Sequence, residues 1–154
     1  MKRKKAEFIT KPAEYEVADR LPGEGASVLR EPAAAYVVNK VRAGLPFEEF
    51  HALQEMLGVT EEKLGALVGM SRATLHRRKK AGSLDRSESD RLVRYARILN
   101  CVTAFFQSNE AAAKWLNSPA MAFNGETPMD YADTEIGARE VEALVWRTEN
   151  GVPN

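Results

Sequence analysis

Gly65 and Gly69 stand four residues apart, and Leu75 follows six residues after the second of them. Few features of this chain restrict its fold as much. Two helices can cross closely at a steep angle only if the first carries a small residue at the contact. The turn between them also has to accept a left-handed backbone, and apolar side chains have to anchor both sides. Gly65 is the small contact, Gly69 the turn, and Leu64, Val68, Met70 and Leu75 the anchors. Thr60 can cap the first helix, with Glu61 and Glu62 at the positive end of its dipole. Ser71 can cap the second, Arg72 to Ala81, and Gly82 closes it.

This is the spacing of a helix-turn-helix of the phage-repressor type. The second helix turns Ser71, Arg72, Ala73, His76, Arg77 and Lys80 outward, with Arg78 and Lys79 flanking them. Arginine and lysine reach guanine edges or phosphates, and a capping serine beside free helix amides can hold a phosphate. The candidate DNA contacts are Ser71, Arg72, Thr74, His76, Arg77, Lys79 and Lys80. Arg78 occupies a position that is often apolar in repressors. Charge supports the reading. Lys and Arg together number 22 and Asp and Glu 22, but residues 72–97 carry 9 basic against 3 acidic groups. Residues 98–154 carry 3 against 8, which suggests two surfaces with different partners. The competing reading of the basic run is a solvated face on a generic bundle.

The rest of the chain reads as helix. Residues 1–29 are expected to form a flexible arm, with Lys2 to Lys5 at its start and scattered apolar residues. A helix follows from Glu31, with Pro32 in its first turn, and another from Pro46 through Phe47, Phe50, Leu53 and Leu57. Asp85 to Gln107 is the longest periodic stretch. Leu92, Ala96, Leu99, Thr103 and Phe106 line one face, widened by Val93, Val102 and Phe105, and Ser87 with Asp90 resembles a capping box. A short helix spans Asn109 to Asn117, residues 118–128 read as loop, and Thr134 caps a last helix ending at Asn150 and Gly151. The expected fold is all-α, with a helix-turn-helix domain over residues 30–97 and a small helical domain over 98–154.

Several function classes find little support. No apolar run is long enough to span a membrane, and no signal-peptide core follows the basic start. The lone Cys101 allows no internal disulfide, which fits a cytoplasmic protein. His51 and His76 have no companions at ligand spacing, so no metal and no cofactor is expected. Cys101 falls on an apolar helix face, where a buried thiol is the plainer reading. No acid–base pair or phosphate loop is present, and the chain is not expected to be an enzyme.

From about Gly44 onward the sequence resembles the Xre/MbcA/ParS family of antitoxins, partners of RES-domain toxins. The resemblance is carried by Gly58-Val-Thr-Glu-Glu-Lys-Leu-Gly-Ala-Leu-Val-Gly and Ser71-Arg-Ala-Thr-Leu-His-Arg-Arg, then by Leu84 with Ser89-Asp90-Arg91-Leu92. It continues through Ala113-Lys114-Trp115-Leu116, Gly125-Glu-Thr-Pro128, Gly137-Ala-Arg-Glu-Val141-Glu and Asn150-Gly151. It implies an Xre-like helix-turn-helix domain followed by a toxin-binding domain. It also implies a chain that dimerises, or assembles further within a toxin complex, and that represses its own operon by binding operator DNA. The implied partner is a cognate RES toxin that degrades NAD, blocked at its active site. On this reading the toxin-binding residues lie on the last helix and tail: Arg139, Glu142, Trp146, Arg147, Glu149, Asn150, Val152 and Asn154. Trp115 reads as a core anchor. One of Phe105 and Phe106 must face outward, where it could serve self-association. The competing class is a helix-turn-helix transcription or partition regulator with no toxin partner.

Overall fold

A computed structural model describes residues 26–152, with side chains from Ala35 onward. Most of the expected arm, and Asn154, lie outside the described residues. Helix α1 spans Ala26–Ala43, so it begins earlier than expected and contains Pro32 within it rather than in its first turn. Helix α2 (Phe47–Leu57) starts after Pro46 and ends at Gly58 in the left-handed conformation. Helix α3 (Glu61–Leu67) is capped by the Thr60 hydroxyl, which accepts from the Lys63 amide at 3.2 Å. Helix α4 (Arg72–Ala81) is capped by Ser71, whose Oγ accepts from the Thr74 amide at 3.1 Å.

The long helix α5 runs Arg86–Phe106. Its capping box is not the expected Ser87 and Asp90 pair. Asp85 is the N-cap and accepts from the Glu88 amide at 2.8 Å, while Glu88 accepts from the Asp85 amide at 2.9 Å. The same three-residue spacing occurs at both pairs, and Arg78, reaching across from α4, sits on the one that forms. Helix α6 (Asn109–Leu116) follows. The expected loop then contains a short 3₁₀ turn, Met121–Phe123, and opens helix α7 (Pro128–Tyr131). Helix α8 spans Glu135–Glu149, with Thr134 as its cap. The described residues form no named strand, and the all-α expectation holds.

Helix α5 is the axis of the molecule, with α1, α2, α6 and α8 packed around it. Because neighbours grip it from several sides, its buried arc is wider than one face: Leu92, Tyr95, Ala96, Ile98, Leu99 and Val102 are all buried. Tyr95 and Ile98 lay outside the expected face. Phe106 lay inside it but is 36% exposed at the helix end, its ring 6.2 Å from that of Trp115. Trp115 itself packs against the core while remaining partly exposed. A single cluster of buried side chains runs from Leu45 to Val145 without a break between the two expected domains.

Polar ties join the same parts. Lys63 pairs with Asp130, the Asn109 amide donates to the Met56 carbonyl at 2.9 Å, and that of Asn117 donates to Leu57 at 3.0 Å. Gly137 permits the closest approach in this half. A Cβ there would fall 1.8 Å from the Tyr131 carbonyl oxygen, which is fixed backbone. Gly137→Ala should therefore destabilise the chain by about 3 kcal/mol, read as a shifted denaturant midpoint with unchanged slope. A midpoint within error of the parent would show that α7 yields freely.

Candidate nucleic-acid and partner interfaces

The turn after α3 works as its two glycines suggest, with one difference between them. Gly69 has φ +84°, and a Cβ there would lie 2.0 Å from a guanidinium nitrogen of Arg91. That guanidinium donates to the Val68 carbonyl at 3.1 Å and bolts the turn to α5. At Gly65 a Cβ would sit 3.4 Å from Leu75, an ordinary contact, so smallness matters there without being absolute.

With Leu75 turned inward, α4 exposes Ser71, Arg72, Ala73, His76, Arg77 and Lys80. These are the expected outward positions. Thr74 is half-buried, and its hydroxyl accepts from Ser71 Oγ at 3.0 Å, so the two side chains serve the cap. Lys79 turns back toward α3, with its ammonium 3.0 Å from both carboxylate oxygens of Glu61. Arg78 also points inward, donating from Nε to Glu88 at 2.8 Å and from Nη2 to Asp85 at 2.9 Å. Its departure from an apolar residue thus has a structural cause: two carboxylates wait at the start of α5. Among the described residues, Arg72, Arg77 and Lys80 have no carboxylate partner. One helix face therefore presents three free cations, a histidine and a helix N-terminus, an arrangement suited to a phosphate backbone and a major groove.

The second surface lies on α8. Ala138, Val141, Leu144 and Val145 face the core. The opposite side carries Ile136, 79% exposed, and Trp146, 58% exposed. Ile136, and Met121 in the 3₁₀ turn, 93% exposed, were not among the expected partner residues. An isoleucine on the otherwise polar face of an amphipathic helix is the signal that would have found the first. Glu142 behaves otherwise than expected, since it accepts from Arg97 Nε at 2.7 Å and is part of an internal network. Arg97 also donates to Glu135 at 2.8 Å, and Arg94 and Arg139 each lie 3.3 Å from the same carboxylate. Arg147 is half-buried, Glu149 and Asn150 are exposed, and Val152 lies exposed beyond the helix end. The Asn150 amide folds back on the Trp146 carbonyl at 2.8 Å.

Burial alone would push the Glu135 carboxyl up, but Arg97, helped by Arg139 and Arg94, holds it below the usual carboxylate range. Asp130 follows the same pattern, with burial opposed and outweighed by Lys63 and Thr127. Lowered carboxyl pKa values stabilise the fold above the ordinary carboxylate range, and that contribution is lost as pH falls through the folded values. Urea unfolding followed from neutral pH to about pH 3 should therefore show falling stability, with a shallower fall in Glu135→Gln. A parallel fall in both proteins would place the acid sensitivity elsewhere.

Among the described residues no group of three His, Cys, Asp or Glu side chains is placed to hold a metal ion. His51 is exposed and lies 3.6 Å from Glu55. Cys101 is half-buried. No helix among the described residues is long and apolar enough to cross a membrane.

Fold and surfaces together define a helix-turn-helix DNA-binding protein whose C-terminal helices form a second, partner-directed unit. Comparison with known proteins agrees on both parts. The family model of the antitoxin Xre-like helix-turn-helix domain matches residues 37–97, and that of the antitoxin Xre/MbcA/ParS C-terminal toxin-binding domain matches residues 101–151. The chain is 25% identical to antitoxin Xre of Yersinia enterocolitica over 118 residues, covering 75% of this chain and 80% of that protein. It is 33% identical to antitoxin Xre of Photorhabdus laumondii over 72 residues, covering 46% and 49% of the two chains. It is 38% identical to antitoxin Xre of Pseudomonas putida over 64 residues, covering 42% and 40%. The chain belongs to the Xre-type antitoxins of toxin–antitoxin systems.

Proposed function

We propose that this antitoxin neutralises a RES-domain toxin that degrades NAD, and that as a homodimer it binds operator DNA to repress its own operon. The observation that carries the first part is the solvent-facing pair Ile136 and Trp146 on α8, inside the segment matched by the toxin-binding domain. Large apolar side chains left in water on a helix that already has a buried face are the anchors expected of a protein interface. Arg139 and Arg147 flank them, and Glu149, Asn150, Val152 and Asn154 are the residues that would meet the toxin's active-site pocket. The Glu149 carboxylate there competes with the pyrophosphate of NAD for cationic groups.

The fold supports a clean test, because Val145 is the last buried residue of α8. Removing residues 147–154 should leave the fold intact and abolish neutralisation. The experiment is co-expression with the product of the adjacent reading frame, following cellular NAD and recovery of a complex. Trp146→Ala with Ile136→Ala should weaken the complex by about 2–4 kcal/mol, with NAD falling accordingly. No complex with the parent chain, and NAD indifferent to it, would leave a DNA-binding regulator without a toxin partner.

For the second part, two recognition helices related by a two-fold axis read half-sites about 34 Å apart. The exposed Phe106 beside Trp115 offers an apolar surface for a second copy. Phe106→Arg should shift the oligomeric state toward monomer by light scattering and weaken operator binding with it.

A further inference from the structure

Helix α4 carries five cations, Arg72, Arg77, Arg78, Lys79 and Lys80, yet buries one side chain only, that of Leu75. A single apolar anchor fixes a point on a helix and leaves its rotation about that point poorly determined. The Ser71 cap and the Gly82 carbonyl, which accepts from the Phe47 amide at 3.0 Å, hold its two ends. Side-chain ties between them set the angle at which the outward residues are presented. Arg78 follows Leu75 by three residues and so lies on the inward flank, while its sequence neighbour Arg77 points to solvent.

The acceptors of Arg78 are not loose surface groups. Asp85 and Glu88 are the two members of the α5 capping box. Glu88 Oε2 accepts both the Asp85 amide and the Arg78 Nε, and Asp85 uses one oxygen for the Glu88 amide and the other for Arg78 Nη2. Glu88 is only 6% exposed. A carboxylate so buried is costly unless paired, and a planar guanidinium with two fixed donor directions makes its own placement specific. The Lys79 and Glu61 pair on the other flank is more exposed, so it constrains α4 less.

We propose that Arg78 is a positioning residue for DNA binding. It does not touch DNA. Through Glu88 and Asp85 it locks the C-terminal half of the recognition helix to the start of α5, and so sets the direction of Arg77 and Lys80. The proposal rests on the DNA-binding reading of α4 and is independent of the toxin partner.

The test uses the full chain with Arg78→Met, Arg78→Lys, Glu88→Gln and the Arg78→Met/Glu88→Gln double variant, and Arg77→Ala for comparison. The probes are a duplex from upstream of the chain's own reading frame and a scrambled duplex, each titrated over a range of salt. Thermal melts confirm that each variant is folded at the assay temperature, and Arg78→Lys keeps a charged partner for Glu88 should Arg78→Met melt early. A phosphate contact contributes about 0.9 to the slope of log affinity against log salt. Arg77→Ala should lower the slope by that amount if it meets a phosphate, or lose affinity chiefly on the preferred duplex if it reads a base. Arg78→Met should weaken binding about tenfold with the slope unchanged, and Arg78→Lys should fall between it and the parent. Glu88→Gln should weaken binding comparably, and the double variant should be no weaker than Arg78→Met. A slope reduced by about 0.9 in Arg78→Met would make Arg78 a phosphate contact and overturn the proposal. Unchanged affinity in Arg78→Met, or additive losses in the double variant, would overturn it equally. If the parent prefers neither duplex, the operator reading falls, and the same affinity and slope comparisons on either duplex still decide the role of Arg78.

Discussion

A chain ending at Arg97 is expected to lose cooperative folding, although the helix-turn-helix family model ends at that residue. The toxin-binding model begins at Cys101, and both boundaries fall inside the single helix α5, Arg86–Phe106. The cut would remove Ile98, Leu99 and Val102, all buried, together with α6 and α8, against which α5 packs. Tyr95, whose hydroxyl donates to the Met129 carbonyl at 3.3 Å, would lose that acceptor and its cover. Each large side chain stripped of its environment costs about 1.5–3 kcal/mol, and a whole domain has only about 5–15 kcal/mol to lose. Residues 1–97 should show a shallow, non-cooperative melt by circular dichroism where the full chain shows one sharp transition. A sharp melt from the fragment would mean that the N-terminal part folds alone and that the shared core is dispensable to it.

The second large effect is expected at the DNA surface. Replacing Arg72, Arg77 and Lys80 together by alanine should reduce duplex binding about a hundredfold or more at moderate salt and lower the salt slope by up to about 2.7. All three side chains are exposed and have no carboxylate partner among the described residues, so melting and complex formation with the toxin should stay as in the parent. Of the three, Arg77 sits nearest the middle of the outward face. If it reads a base, Arg77→Ala should cost about 1–3 kcal/mol on the preferred duplex and less on a scrambled one. Binding unaffected by the triple replacement would remove α4 from the DNA interface altogether.

The first of these predictions comes from one architectural fact. The DNA-facing and partner-facing parts share a helix and a core, and the ties at Lys63 and Asp130, at Asn109 and at Asn117 close the outer seam. No linker separates them within the described residues.

Much of this was legible from residue order. Thr60, Ser71 and Thr134 cap helices because short hydroxyl side chains reach the free amides three residues on. Gly58, Gly69 and Gly82 end helices or turn the chain where a left-handed backbone is needed. Local geometry decides these features, and local geometry is written in adjacent residues. The outward set on α4 was legible for a related reason: a period of 3.6 and one buried leucine assign its faces.

Pairings between distant elements were not legible. Asp85 rather than Ser87 caps α5 where Arg78 approaches from α4, and Lys79 belongs to Glu61 across the turn. Glu142, which reads as a surface charge in a row of surface charges, is taken by Arg97 from a helix 45 residues away. Ile136 stays in water because the neighbours of α8 cover its other side. Local spacing and periodicity determined the helices, their caps and the class of each surface, because those depend on neighbours in the chain. Only the packed structure decided which charges remain free to meet a partner, because a side chain's availability depends on what the rest of the fold brings within about 3–4 Å of it.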